Sequence, residues 1–230
     1  MLPIGDTIPG RNPPIAVWLL ILANSLVFLV ELAMPPPVRE EFFYLFGIVP
    51  ARFTHPDYWP VVTSLFIHGG WLHIIANMLA LWIFGDNVED RMGPVRFVVF
   101  YLLCGVIGGI THWFVYPDSA IPALGASGAI AGVLGAYLFL FPHSRVIVFF
   151  PILFIPFFFE LPAVTYIVFW AVSQVFSGTL SLGQPDAAGG IGWWAHIGGF
   201  AAGVVLHYFF VRRGGHPPWR DEYGAGAAWR

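Results

Sequence analysis

The sequence has little charge, no lysine and a single cysteine. Only 10% of its 230 residues are charged, against about 25% in a typical soluble domain, whereas 58% are hydrophobic. This composition excludes a disordered chain and an ordinary soluble domain. Its formal net charge of -3 offers no basic patch for nucleic acid. The lone Cys104 excludes an internal disulfide and a multi-cysteine metal site.

The chain does contain apolar runs that suit a lipid bilayer. A membrane-spanning helix needs about 20 mostly apolar residues, and several stretches approach that length. We predict an all-α membrane protein, a bundle of six transmembrane helices at residues 15–34, 71–84, 95–115, 124–141, 162–176 and 193–211. The second stretch is short, so it must take residues from 61–68 or begin inside the membrane.

The arginines predict the orientation of this bundle. Cytoplasmic loops carry an excess of basic residues. Six spans place both tails and the even-numbered loops on one side, and the other side holds only Arg39 and Arg52 of the ten arginines. Both termini are therefore expected in the cytoplasm. The chain divides into a tail at 1–14, a membrane domain at 15–211 and a second tail at 212–230.

Three segments outside the predicted helices differ in composition. Residues 35–60 form a long outer loop rich in aromatic residues, and residues 177–192 form a glycine-rich outer loop that we expect to be flexible. Residues 146–160 are apolar, but Pro151 and Pro156 interrupt them. We therefore predict a segment lying along the cytoplasmic interface, with one long kinked span as the alternative.

Polar residues within the predicted spans are rare, and three clusters of them begin the second, fourth and sixth helices. The clusters contain His73 with Asn77, then Ser127, then His196. Even-numbered helices all begin on the outer side in this topology, so the clusters share one depth near the outer face. Polar residues at such positions are often functional, and their common depth predicts a single site.

Ser127 and His196 have the chemistry of a nucleophile and its base. A serine hydroxyl attacks well once a base takes its proton, and a neutral imidazole can do so near pH 7. Small residues let two helices approach closely in lipid, as a direct Ser–His hydrogen bond requires. Two such G-x-x-x-G pairs flank the candidates: Gly128 with Gly132, and Gly199 with Gly203.

His73 and Asn77 lie four residues apart, so they share one helix face. Together with the backbone N–H of Ser127 they could surround a developing oxyanion. The residues alone leave other interpretations open. Ser127 also suits a small packing residue, and the His73–Asn77 pair suits a buried anchor for the first outer loop. His68, His73 and His196 could bind zinc, but no carboxylate lies in the three clusters.

Together these motifs resemble the rhomboid intramembrane serine proteases, over most of the chain from about Trp18 to Val211. The resemblance is carried by His68-x4-His73-x3-Asn77, Glu89-x-Arg91, Gly125-Ala-Ser127-Gly128 and Ala195-His196-x-Gly198-Gly199-x3-Gly203. Each motif alone is weak, and their order and spacing make the set specific. The charged residues 86–91 are expected in the tight loop between the second and third helices.

The resemblance implies a serine endopeptidase that forms an acyl-enzyme and cuts transmembrane segments of membrane-protein substrates near the outer face. It implies catalytic Ser127 and His196, an oxyanion site of Asn77, His73 and the Ser127 N–H, accessory His68, Gly125 and Gly128, and structural Glu89, Arg91, Gly199 and Gly203. The lipid bilayer and the substrates are the expected partners. No cofactor, metal or nucleic acid is expected, and a plasma (inner) membrane is the simplest location.

One departure from the family pattern concerns the support of His196. Some members carry a tyrosine that stacks on the histidine, where this chain has Ala131. Trp193 or Trp194 could replace it, and Gln174 on the fifth helix is a weaker candidate for facing the site. No acid is placed to orient His196, so a dyad is predicted. The alternatives are a catalytically silent rhomboid-like protein that binds clients, and a solute transporter, which the lack of repeated halves disfavours.

Overall fold

The structure, a computed structural model, describes residues 2–52, 58–152, 155–182 and 192–212. Within these ranges the helices are α1 (Ile15–Ala33), α2 (Pro36–Phe46), α3 (Pro60–Thr63), α4 (Trp71–Met92), α5 (Pro94–Val115), α6 (Ser127–Leu140), α7 (Ala163–Ser181) and α8 (Trp193–Phe210). The strands are β1 (Leu2–Asp6), β2 (Arg145–Ile152) and β3 (Ile155–Pro162). Single turns of 3-10 helix cover Pro50–Arg52 and Ser64–Phe66.

Among the described residues, three helices, α1, α5 and α7, are long and apolar enough to cross a membrane. A fourth span results if Pro60–Phe66 and α4 are taken together, although the two are bent by 93° at their junction. This bend explains why the second predicted span is short in apolar residues. α6 is a shorter apolar helix. The protein is therefore a mostly helical membrane protein with three or four candidate spans.

α4 is longer than the predicted 71–84, because it continues to Met92 and only Gly93 separates it from α5. The charged residues 86–91 consequently lie on the helix, and their predicted position in a loop is wrong. At this end of α4 the backbone carbonyl of Arg91 accepts a hydrogen bond from the N–H of Arg212, at 3.1 Å. The end of α4 is thus joined to the residues that follow α8.

Glu89 is buried at this end of α4 and connects it to α1. Its two carboxylate oxygens accept hydrogen bonds from the backbone N–H groups of Ala16 and Val17, at 3.0 and 2.9 Å. The first N–H groups of a helix have no partner within the helix, and they carry partial positive charge. A buried carboxylate therefore caps α1 from a neighbouring helix.

The prediction of an all-α fold is wrong at one face of the molecule, where three strands form an antiparallel sheet in the order β1-β2-β3. The predicted interfacial segment 146–160 contains most of the antiparallel strands β2 and β3, apart from residues 153–154, which lie outside the described residues, and the tail 1–14 contains β1. Val146 and Val148 alternate inward and are fully buried, the pattern of a strand with one covered face. Pro151 faces Pro156 near the end of this strand pair, where missing N–H donors do little harm.

Asp6 at the end of β1 attaches this sheet to the helices. Its carboxylate accepts hydrogen bonds from the hydroxyl of Tyr137 on α6 and from the amide of Asn87 on α4. Burial raises the pKa of Asp6 from 3.8 to about 6, although the hydrogen bonds from Tyr137 and from the N–H of Ile8 act in the opposite direction. β1 is thus held against both helices by one partly desolvated carboxyl group.

α6 is the central helix, and every residue from Gly128 to Tyr137 is buried. It packs against α8 with no side chain between the two backbones. A Cβ atom at Gly199 would overlap the carbonyl oxygen of Gly128, and one at Gly203 would overlap that of Gly132. The absence of side chains at these positions is what allows the two helices to approach this closely.

α7 is less buried than α1 and α5, the two other helices that could each span a membrane alone. Only 22% of its most apolar stretch is buried in the protein, against 33% for α1 and 39% for α5. It extends beyond the predicted 162–176, so the first part of the expected flexible loop at 177–192 is helical. Residues 183–191 of that loop lie outside the described residues. So do residues 53–57 of the first outer loop and 213–230 of the second tail.

Candidate active site

Ser127 and His196 come together at the starts of two adjacent helices. Ser127 is the first residue of α6, and His196 lies in the first turn of α8. The Nε2 atom of His196 is 2.8 Å from the Oγ atom of Ser127, which is hydrogen-bond distance. Both side chains are only partly buried. A nucleophile and a base are therefore in direct contact at an accessible position.

The close packing of α6 on α8 explains this short distance. Serine and histidine side chains are short, so their helices must nearly touch for the two polar atoms to meet. A Cβ atom at Gly128 would lie 3.4 Å from the carbonyl oxygen of Ala195, the residue before the histidine. Gly128, Gly199 and Gly203 thus act through backbone proximity, and none of them contributes a reacting group.

His73 and Asn77 lie on α4 and face the turn that leads into Ser127. Gly125 in this turn has a φ of +117°, a conformation that favours glycine. A Cβ atom there would also lie 2.6 Å from the Nε2 atom of His73 and 3.8 Å from the amide nitrogen of Asn77. Gly125 therefore leaves the space that both polar side chains need to approach Ser127.

Three hydrogen-bond donors surround this space. The ring of His73 can donate from a nitrogen, and the amide of Asn77 carries two N–H groups, one of which bonds to the carbonyl of His73 at 3.0 Å. The third donor is the backbone N–H of Ser127, which as the first residue of α6 belongs to the groups left without a partner inside the helix. Together they form a region suited to a negatively charged oxygen beside the serine.

His68 is placed behind His73 and away from Ser127. Its side chain is 1% exposed, and its ring meets that of His73 edge to face at 5.0 Å. Its backbone N–H donates to the carboxylate of Glu31 at 3.2 Å. Neither ring nitrogen has a hydrogen-bond partner among the described residues. His68 thus contacts His73 and Glu31, and its accessory role stays a prediction.

Gln174 on α7 contacts the candidate base directly, a contact that the sequence indicates only weakly. Its Oε1 atom is 2.8 Å from the Nδ1 atom of His196. One turn earlier on α7, the ring of Trp170 lies 5.9 Å from the imidazole, centroid to centroid. The sequence signal that could have found the pair is the i, i+4 spacing of a tryptophan and an amide on one face of an otherwise apolar helix.

The tryptophans that the sequence offers as supports for His196 differ from each other. Trp193 does meet the imidazole, edge to face, at 6.1 Å between ring centroids. Trp194 points elsewhere and donates from its indole nitrogen to the carbonyl of Gly178 at 3.2 Å. Ala131, where some rhomboids have tyrosine, is fully buried in the helix packing. Support for the histidine comes from α7 and from its own helix.

A groove of about 1100 Å³ contains this site. α4 and α7 both line it, while α6 and α8 supply Ser127 and His196. Most of the lining is apolar, with His73 and Asn77 among the polar exceptions. The four candidate site residues therefore share one accessible space.

The sequence profile of the Rhomboid domain matches residues 55–213. The chain belongs to the rhomboid family. It is 32% identical over 159 residues to the Rhomboid protein 1, mitochondrial, of Saccharomyces cerevisiae, covering 66% of this chain and 42% of that protein. It is 33% identical over 136 residues to the Rhomboid protease GluP of Bacillus subtilis, covering 59% of this chain and 26% of that protein.

A further rhomboid relative covers more of the chain. It is the Presenilin-associated rhomboid-like protein, mitochondrial, of Mus musculus, which is 29% identical over 211 residues, or 88% of this chain and 49% of that protein. The chain thus spans less than half the length of these three relatives. The resemblance drawn from the motifs is confirmed at the level of the family. One relative is called a protease, and two are named as mitochondrial.

Proposed function

We propose that this rhomboid is an intramembrane serine endopeptidase, which cuts membrane-protein substrates within or near a transmembrane segment. The observation that supports this best is the 2.8 Å hydrogen bond between Ser127 Oγ and His196 Nε2, inside a groove lined by helices. In this geometry the serine can act as the nucleophile of acyl transfer and the imidazole as its general base.

The reaction proceeds in two halves. His196 takes the proton of Ser127 while the serine oxygen attacks a peptide carbonyl, and His196 then gives this proton to the leaving amine. Water next attacks the resulting ester with His196 again as base, which releases the new carboxylate and frees Ser127. The charge that develops on the carbonyl oxygen is stabilised by Asn77, His73 and the backbone N–H of Ser127.

The lining of the groove suits a polypeptide segment as substrate. Its volume of about 1100 Å³ lies near the upper end of the roughly 300 to 1,000 Å³ that is usual for small-ligand pockets. Its walls on α4 and α7 are mostly apolar and suit a segment that arrives from the bilayer. Such a segment must unwind locally before cleavage, because a helix keeps its carbonyls in its own hydrogen bonds.

We propose six spans with both termini in the cytoplasm, formed by α1, the bent pair that ends in α4, α5, α6, α7 and α8. Fourteen residues of α6 extend about 21 Å, less than the roughly 30 Å of the hydrocarbon layer. Ser127 would consequently lie below the outer surface. Cysteine scanning on a Cys104→Ala background tests this: Arg11→Cys and Arg212→Cys should react with an impermeant maleimide only from the cytoplasmic side.

A bacterial-type plasma membrane is the location we propose, in line with the bacterial origin of GluP. The mitochondrial names of two relatives make an organelle inner membrane the competing location. Membrane fractionation of the native host separates the two.

The proposed activity is tested by reconstituting the protein with a fluorescent single-span substrate in lipid vesicles. Ser127→Ala and His196→Ala are expected to abolish cleavage. Two matched controls should cleave normally: Ser25→Ala on α1, which does not line the groove, and His207→Ala, whose ring stacks on Phe139 near the other end of α8. A serine-directed fluorophosphonate should label the wild type and fail to label Ser127→Ala.

Two outcomes would overturn the proposal. Undiminished cleavage in both Ser127→Ala and His196→Ala would show that the dyad is not the catalyst. A wild-type protein that binds spanning segments but never cuts them or reacts with the probe would instead be a catalytically silent family member that binds clients.

A further inference from the structure

Gln174 meets the side of His196 that faces away from the serine. It is buried at 5% exposure on α7, and its Oε1 atom is 2.8 Å from Nδ1 of the imidazole. The two ring nitrogens thus have different partners, with Ser127 at Nε2 and Gln174 at Nδ1. In the mechanism above Gln174 has no part.

The surroundings of Gln174 determine which atom of its amide faces the histidine. The amide nitrogen donates to the backbone carbonyl of Trp170 at 3.1 Å and approaches the Oγ atom of Ser173 at 2.9 Å. The hydroxyl of Ser173 itself donates to the carbonyl of Trp170, at 2.6 Å. A flipped amide would place its oxygen against that carbonyl, so the oxygen is the atom left for His196.

This arrangement determines the tautomer of the imidazole. An amide oxygen only accepts hydrogen bonds, so Nδ1 must carry the proton that bonds to it. In a neutral imidazole the other nitrogen is then unprotonated. Nε2 is therefore free to accept the proton of Ser127, as a general base must.

We propose that Gln174 is a positioning residue that fixes the tautomer and the orientation of His196, and that it thereby makes an active base depend on the docking of α7 against α8. The catalytic part rests on the proposed function. Trp170, which also contacts the imidazole, lies on the same helix. Because α7 is the least buried of the three long spans, a displacement of this helix would remove both contacts while α6 and α8 stay together.

The tautomer can be measured without any assay of activity. Ring-15N-labelled histidine is incorporated into the protein in detergent, and the signal of His196 is assigned by its loss in His196→Ala. The wild type should show protonated Nδ1 and unprotonated Nε2 at neutral pH. Gln174→Met, which keeps length but loses the acceptor, should shift this signal towards the other tautomer, whereas Thr179→Val, on a more exposed part of α7, should leave it unchanged.

Cleavage of the reconstituted substrate provides the second measurement. Gln174→Met is expected to lower kcat by about 10-fold, with little change in KM, because the base is misplaced but still present, and a complete general base contributes roughly 10²- to 10⁴-fold. Gln174→Glu restores an oxygen acceptor at Nδ1 and should recover most of the rate.

The results separate the two proposals. A wild-type His196 protonated at Nε2, or a Gln174→Met variant with unchanged tautomer and kcat, would overturn the role of Gln174 even if the protein is a protease. If Ser127→Ala still cleaves while the tautomer responds to Gln174→Met, the proposed dyad fails and the orienting contact stands.

Discussion

α6 and α7 both pack against α8 close to His196, but they do so by different means. α6 meets α8 backbone to backbone, at Gly128 against Gly199 and Gly132 against Gly203. α7 meets α8 through side chains: a Cβ atom at Gly178 would find the methyl group of Ile197 at 3.3 Å. At these glycines the α6–α8 contact has no side chain that can rotate, whereas the side chains of the α7–α8 contact can change position.

This difference divides the candidate site into two parts. The distance between Ser127 and His196 depends on the α6–α8 contact, which a backbone shift alone could change. The orientation of the imidazole depends on side chains of α7, which can leave without disturbing that distance. The proposed protease activity would need one part that holds and another that can move, because its proposed substrate arrives from the bilayer between helices.

Gly199→Ala should have the largest effect, because it disrupts the contact between the backbones of α6 and α8. Its new methyl group would overlap the carbonyl oxygen of Gly128, so α6 and α8 must separate. We expect a loss of about 3 kcal/mol or more in the free energy of unfolding, together with loss of cleavage and of labelling by the fluorophosphonate. Thermal unfolding in detergent measures the first effect. A stable and active Gly199→Ala protein would contradict the rigid contact.

Glu89→Ala tests a second fixed contact, the cap that α4 places on α1, which is separate from the contact of α6 with α8. It leaves the buried N–H groups of Ala16 and Val17 without their acceptors, at a cost of about 2 kcal/mol. The same thermal measurement checks this. Glu160→Ala is the matched control, because this exposed carboxylate on the sheet forms an ion pair with exposed Arg145, at 3.4 Å, and such pairs contribute about 1 kcal/mol at most. Equal effects of the two changes would argue against the cap on α1.

Asp6→Asn tests the attachment of the sheet to α4 and α6. The pKa of Asp6 is about 6 in the folded protein against an ordinary 3.8, so the folded state binds this proton more tightly than the unfolded state. The stability it contributes is complete below about pH 4 and is lost as the pH rises through about 6. The thermal midpoint of the wild type should therefore fall over this range more steeply than that of Asp6→Asn. Parallel curves would exclude Asp6 as the source.

Gly178→Ala should have the smallest effect and gives the sharpest contrast with Gly199→Ala. The three nearest atoms to its methyl group, among the described residues, would be side-chain atoms at 3.3 to 3.4 Å, and these neighbours need to shift by only a few tenths of an ångström. Alanine is also the better helix former by about 1 kcal/mol. We expect a change within about 1 kcal/mol and retained cleavage. A loss as large as that of Gly199→Ala would show that α7 is fixed as rigidly as α6.

The sequence predicts the helical membrane part well, because apolar runs of spanning length have few other uses. The prediction fails where charged residues or prolines suit more than one kind of secondary structure. The charged residues near Glu89 indicate a loop on polarity alone, yet they continue α4, because the protein supplies buried backbone donors for the carboxylate. The prolines at 151 and 156 correctly argue against a spanning helix, but they do not reveal that the segment pairs with β1.

For the candidate site, too, the sequence predicts one part and only the tertiary structure shows the other. The sequence by itself determined which residues could do chemistry, since so few polar side chains fall within apolar helices and Ser127, His196, His73 and Asn77 are among them. The tertiary structure decided how they are supported. Gln174 and Trp170 lie more than 20 residues from His196. Their i, i+4 spacing places them on one face of α7, but it does not say which helix that face meets, and only the packing of α7 on α8 brings them to the imidazole.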